Sequence, residues 1–113
     1  MERKPATATK PQPAAALAPE DKADGSVKLI HAVGMHARPA VKLTKLAKRF
    51  RSRIALRVEG AEEWIDAKSV AKVVGMRAAC DSTIEFVATG ADARAAIGAL
   101  TALVANDFLD HDG

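Results

Sequence analysis

Alternating polar and apolar residues recur along the chain. Val27 and Leu29 flank Lys28. Ile54, Leu56 and Val58 alternate with Ala55, Arg57 and Glu59. Ile84, Phe86 and Ala88 alternate with Glu85 and Val87. A period of two marks a half-buried strand. Glu63 to Ala67 reads as a further short strand, set off by the turn Glu59-Gly60-Ala61-Glu62. Between these stretches the apolar spacing changes to three and four. Leu43, Leu46, Ala47 and Phe50 predict a helix over roughly 37–51. Ser69 is a good N-cap for a short helix from Val70 to about Met76. Gly90-Ala91-Asp92 opens a last helix with Ala96, Leu100, Leu103 and Val104 facing inward. Gly98 inside it costs about 1 kcal/mol relative to alanine, less if it lets a neighbour pack close. The order βαββαβα gives an α+β chain with an antiparallel sheet and one buried face. A ferredoxin-like plait also uses βαββαβ, so the pattern leaves the strand order open.

Parity adds one detail. Ile65 and Ala67 share the inward side of the third strand, which places Trp64 and Asp66 on the face away from the helices. Four of the five prolines (Pro5, Pro11, Pro13 and Pro19) fall before residue 26, among alanine, threonine and lysine. Such a stretch buries little. The expected organisation is a flexible Pro/Ala-rich N-terminal tail over 1–25 and one domain over 26–110, with the last residues fraying.

Composition narrows the function. With 49% apolar and 27% charged residues, a chain of 113 residues suits one soluble globular domain. No apolar run approaches the roughly 18 residues of a membrane span. The start, Met-Glu-Arg-Lys-Pro, lacks the apolar stretch of a secretory signal, and Cys80 is the one cysteine. A cytoplasmic protein without membrane insertion is expected. The net charge is +3, and Lys42, Lys45, Lys48, Arg49, Arg51 and Arg53 cluster in and just after the first predicted helix. They form either a solvated face or a docking surface for an acidic partner. Nucleic acid is disfavoured, because there is no tyrosine and most of Trp64, Phe50, Phe86 and Phe108 take core-like positions. His31 and His36 have no evident third ligand, so no metal and no cofactor is expected.

The chemistry concentrates in Gly34-Met35-His36-Ala37-Arg38-Pro39-Ala40. Pro39 is tolerated in a first helical turn, where a missing N–H has no intrahelical partner to lose. His36 therefore sits at or next to an N-cap, beside free N–H groups and a dipole that favours anions. Arg38 supplies a fixed cation with forked donors suited to phosphate. A nucleophilic imidazole in that setting suits transient phosphorylation.

This segment resembles the active-site motif of the HPr family, the histidine phosphocarriers of the bacterial phosphotransferase system. Asp66-Ala67-Lys68-Ser69-Val70 is similar to the family's regulatory serine segment, and the resemblance runs from about Ser26 to Leu109. It implies an open-faced sandwich: a four-stranded antiparallel sheet of order 1-4-2-3 with three helices on one face. It implies a carrier and not a turnover enzyme, with phosphate on Nδ1 of His36 and Arg38 steadying it. Gly34, Ala37 and Pro39 would position the phosphate. Ser69 would be the target of HPr kinase/phosphorylase where that enzyme exists. The implied partners are enzyme I and enzyme II A-components, met by a monomer through Met35, Lys42, Lys45, Val70, Lys72 and Val73. Three positions depart from the family's habit: Val33 replaces a frequent polar residue, Ala71-Lys72 a bulky apolar residue and a glycine, and Arg77 a glycine. Two rival readings stay open: a regulatory module of the nitrogen-related branch, and a plain interaction domain that keeps the fold.

Overall fold

The computed structural model describes residues 21–109. Its elements are β1 (Lys22–Lys28), α1 (Ala37–Ala47), β2 (Arg53–Val58), β3 (Ile65–Asp66), α2 (Val70–Gly75), β4 (Thr83–Thr89) and α3 (Ala93–Ala105). The strands form one sheet of order β1-β4-β2-β3, and every neighbouring pair is antiparallel. The expected topology and strand order therefore hold.

Register explains the core. Gly25 pairs with Phe86, Phe86 with Leu56, and Leu56 with Ile65, so one inward row crosses all four strands. Phe86 and Leu56, in the middle of the row, are fully buried. They pack in one apolar cluster with Leu43 of α1, Val73 of α2 and Leu100 of α3. Removing a buried ring such as that of Phe86 would cost about 3–5 kcal/mol. At the edge the row ends in Gly25 because α3 crosses close. A Cβ there would lie 2.8 Å from Cγ2 of Ile97.

That close crossing corrects the expected tail boundary. β1 begins at Lys22, four residues inside the stretch expected to be flexible. Its inward positions there are Ala23 and Gly25, too small to print an apolar alternation on the sequence. Residues 1–20 of the expected tail, and the expected fraying at 110–113, lie outside the described residues. Two other bounds shift. β3 keeps only Ile65–Asp66 of the expected 63–67. α1 stops at Ala47 with Lys48 as its C-cap, four residues before Arg51.

The early end of α1 has a cause. Asp92, the N-cap of α3, does not cap its own helix with its side chain. Its Oδ2 accepts from the Arg51 N–H at 2.9 Å, and its Oδ1 accepts from the Ser52 N–H at 2.9 Å and from the Ser52 hydroxyl. One carboxylate thus ties the turn after α1 to the start of α3. Those bonds, the Ser52 hydroxyl first and the Arg51 amide next, hold the Asp92 carboxyl below its usual 3.8.

On the other face of the sheet, the Arg57 guanidinium carbon sits 4.4 Å above the Trp64 ring. Arg57 also donates from Nε to Oε1 of Glu85 at 2.7 Å. Glu85 is its cross-strand partner, so Trp64 lies on the outward face, as its parity requires. Ala67 is fully buried on the inward one.

Two outcomes follow for stability. A depressed carboxyl contributes stability above its unfolded value and loses it as pH falls through the folded one. Asp92→Asn should therefore lower the thermal midpoint at pH 7, with the gap to the native chain closing below about pH 4. A gap that persists unchanged in acid would mean that the carboxylate charge plays no part. At Gly98 an added Cβ meets nothing within 4 Å, so no close packing repays the glycine. Gly98→Ala should raise stability by about 1 kcal/mol in urea titrations; an equal or lower midpoint would refute it.

Candidate functional site

The loop between β1 and α1 is built around a glycine. His31, Ala32, Val33 and Gly34 make a tight turn in which the Gly34 N–H donates to the His31 carbonyl at 2.9 Å. Gly34 has φ +78°, and a Cβ on it would lie 2.5 Å from the Ala78 carbonyl oxygen. Neither the backbone conformation nor the space admits a side chain. The same Ala78 oxygen accepts from the Met35 N–H at 2.8 Å, so the loop is pinned to the segment between α2 and β4. Met35 then turns inward and is only 6% exposed.

The next residue, His36, is the N-cap of α1, with extended backbone (φ −140°, ψ −168°). Its carbonyl accepts from Ala40 at 3.0 Å. Pro39 has no N–H, so the amides of Ala37 and Arg38 are the donors left over at this helix start. The first turn holds no acidic residue, and the N-cap side chain makes no hydrogen bond to it. Arg38 is exposed. Gly34 precedes His36 in the loop, and Ala37, Arg38 and Pro39 follow it in the first turn of α1.

The imidazole has two unlike sides. Nε2 is buried and has no hydrogen-bond partner among the described residues. The His31 ring lies edge-on to His36, with centroids 5.0 Å apart and planes at 73°. Phe108 packs edge-on against His31 in turn, at 6.1 Å.

Phe108 and the last turn were not expected in the site. Asp107 and Phe108 both take positive φ (56° and 61°), which brings the chain back after α3. The Phe108 N–H donates to Leu103 at 2.8 Å, and its carbonyl accepts the Lys42 ammonium at 2.9 Å. An aromatic three residues past a helix end, after the polar pair Asn106-Asp107, was the available signal.

The expected partner contacts divide. Met35 and Val73 are core residues, the second fully buried, so neither is a contact. Each points inward because its backbone places it on the core side: Met35 through the Ala78 anchor, Val73 on the one buried stripe of α2. Val70 packs partly against the core. Lys45 and Lys72 are exposed, and Lys42 is half-buried. Ala37, Arg38, Val41, Lys42 and Lys45 line a shallow groove of about 690 Å³ along α1. Val33 and Val41 add exposed apolar surface. Ser69 caps α2 as expected, its Oγ accepting from the Lys72 N–H at 3.3 Å. Arg77 takes φ 53°, a conformation that favours the glycine it replaces. Among the described residues no group of three or more His, Cys, Asp or Glu could hold a metal ion. Nor is any described helix long and apolar enough to cross a membrane.

The site's anchor can be tested directly. Gly34→Ala should destabilise the fold by about 2–3 kcal/mol and speed amide exchange at Met35. Unchanged stability and exchange would show that the loop has another hold.

Comparisons with known proteins point one way. Residues 24–106 match the family model described as the PTS HPr component phosphorylation site. The phosphocarrier protein HPr of Cupriavidus necator is 39% identical over 80 residues, covering 71% of this chain and 88% of that protein. The phosphocarrier protein NPr of Proteus mirabilis is 39% identical over 87 residues, 76% of this chain and 93% of that one. Among solved structures, an HPr from Thermoanaerobacter tengcongensis superposes with a TM-score of 0.70 at 26% identity, covering 76% of this chain and 94% of that one.

Proposed function

The chain belongs to the HPr family and is a phosphocarrier of the phosphotransferase system, and on that footing we propose that it carries the phosphoryl group on Nδ1 of His36. One observation bears most of the reading: the imidazole stands at the start of α1 with Nε2 buried. That leaves Nδ1 to receive the group. Transfer forms the Nδ1–P bond as the bond from phosphorus to the donor breaks. The lone pair on Nδ1 is the nucleophile, and the ring proton resides on Nε2.

Phosphoryl transfer depends mainly on positioning and on charge, because the transition state spreads charge over three oxygens. The amides of Ala37 and Arg38 and the Arg38 guanidinium are the groups placed to receive that charge. The chain's donor is enzyme I and its acceptors are enzyme II A-components. Both meet the groove of α1, where Arg38 and Lys45 present positive charge beside Val41. Such a surface favours an acidic partner with an apolar centre. Phosphorylation of Ser69 would add about two negative charges to the neighbouring helix and weaken that docking. A cytoplasmic monomer is the form in which this exchange proceeds. The NPr relative favours a second reading, in which phosphorylation state regulates partners without sugar transport.

Incubation with phosphoenolpyruvate and enzyme I should give an acid-labile phosphoryl group, located by intact mass and absent in His36→Ala. Acid-stable label, or label surviving that substitution, would refute the assignment. Arg38→Ala should slow transfer on the order of a hundredfold while leaving the fold intact. An unchanged transfer rate would make Arg38 an ordinary surface residue.

A further inference from the structure

Resting on the assignment of His36 as acceptor, we propose that His31 is a second imidazole of the same site. It takes up a proton when His36 is phosphorylated, so that phosphoryl occupancy of this carrier rises as pH falls. The two ring centroids are 5.0 Å apart. At that distance the rings are in contact, so a charge added to one acts on the other even where water screens the site in part.

His31 is held in place from three sides. Its carbonyl closes the turn with Gly34. Its ring rests edge-on against Phe108. Its Nδ1 accepts from the Val33 N–H at 3.4 Å, a long bond. That bond requires a lone pair on Nδ1, so the neutral ring carries its proton on Nε2. Protonation of Nδ1 forfeits only this weak contact.

Imidazole is the side chain that gains charge between about pH 5 and 8. A phosphoryl group brings about two negative charges to the neighbouring ring, and an imidazolium beside it is favoured over a neutral ring. The linkage is reciprocal: if phosphorylation draws a proton onto His31, lower pH stabilises the phosphorylated state. Among the described residues, the charged groups on the adjoining segments are Arg38, Lys42 and Lys45 of α1, Asp81 before β4 and Asp107 after α3. Lys42 is committed to the Phe108 carbonyl. The two imidazoles of the site are His31 and the phosphohistidine itself.

A competition separates those two. Full-length native chain and His31→Phe, which keeps a ring against Phe108, are mixed in equal amounts. They share a limiting supply of phosphoenolpyruvate through catalytic enzyme I until their phosphoryl groups equilibrate. Intact mass reads both occupancies, and the pH dependence of the donor and of the phosphohistidine cancels in their ratio. The equilibrium ratio of phosphorylated to free protein, native over variant, should rise from about one near pH 8.5 to about fivefold near pH 6. A flat ratio would overturn the proposal while leaving His36 as acceptor. Absence of label on His36 in both proteins would overturn the acceptor assignment and this proposal with it. A second readout needs no variant: at pH 7 the His31 ring nitrogen shifts should move toward imidazolium when His36 is phosphorylated. If they stay put, the proposal fails.

Discussion

The placement of His36 at the start of α1 depends on one carbonyl oxygen. Ala78 O accepts the Met35 N–H at 2.8 Å and stands where a Cβ on Gly34 would lie, 2.5 Å away. The loop can dock there only because residue 34 has no side chain and tolerates positive φ. Once it is docked, Met35 is driven into the core and the chain must enter α1 at residue 36. The place of residue 36 is therefore fixed by backbone, and the His31 ring adds an edge-on contact to its imidazole. That suits a nucleophile whose reactive nitrogen must stay free of partners.

The rest of the fold holds that anchor still. The segment bearing Ala78 joins α2 to β4, and β4 is an inner strand, paired to β1 and to β2. Its Phe86 is the centre of the core. The Asp92 carboxylate ties the far end of α1 to α3, and α3 leads to Phe108, which packs on His31. Both ends of α1 are thus referred to the same layer of helices. A shift of α3 would be felt at His36 through Phe108 and Lys42.

Much of this was readable from residues. Period-two stretches located β2 and β4, whose inward residues are large. Periodicity and Ser69 located the helices, and the parity of Ile65 and Ala67 placed Trp64 on the outward face. The start of β1 was missed because Ala23 and Gly25 are small, and the need for smallness comes from Ile97, more than seventy residues later. The end of α1 was overshot because its stop lies in Asp92, likewise distant. Met35 and Val73 looked like surface contacts because a motif shows which residues travel together and not which way each points. Phe108 escaped for a similar reason: two consecutive positive-φ residues return it to the site, and neither is a glycine. The strand order came from family resemblance, since the pattern alone allowed a plait.

A carrier also explains what the site does not have. An enzyme stabilises its transition state inside a dry cavity, where fixed dipoles act without competition from water. Here His36 is half-buried and Arg38 is exposed beside a shallow groove. In that setting the amides of Ala37 and Arg38 act only weakly by themselves, because water screens them. They become effective when a partner covers the helix start and excludes solvent. On the proposed reading, the phosphoryl group moves within a complex and stays put between complexes. The exposed Val33 and Val41 fit this division, since apolar surface beside the charged groups lets a partner displace water at little desolvation penalty. Incompleteness at the surface, combined with a rigid backbone beneath it, is what lets one imidazole serve a donor and an acceptor in turn.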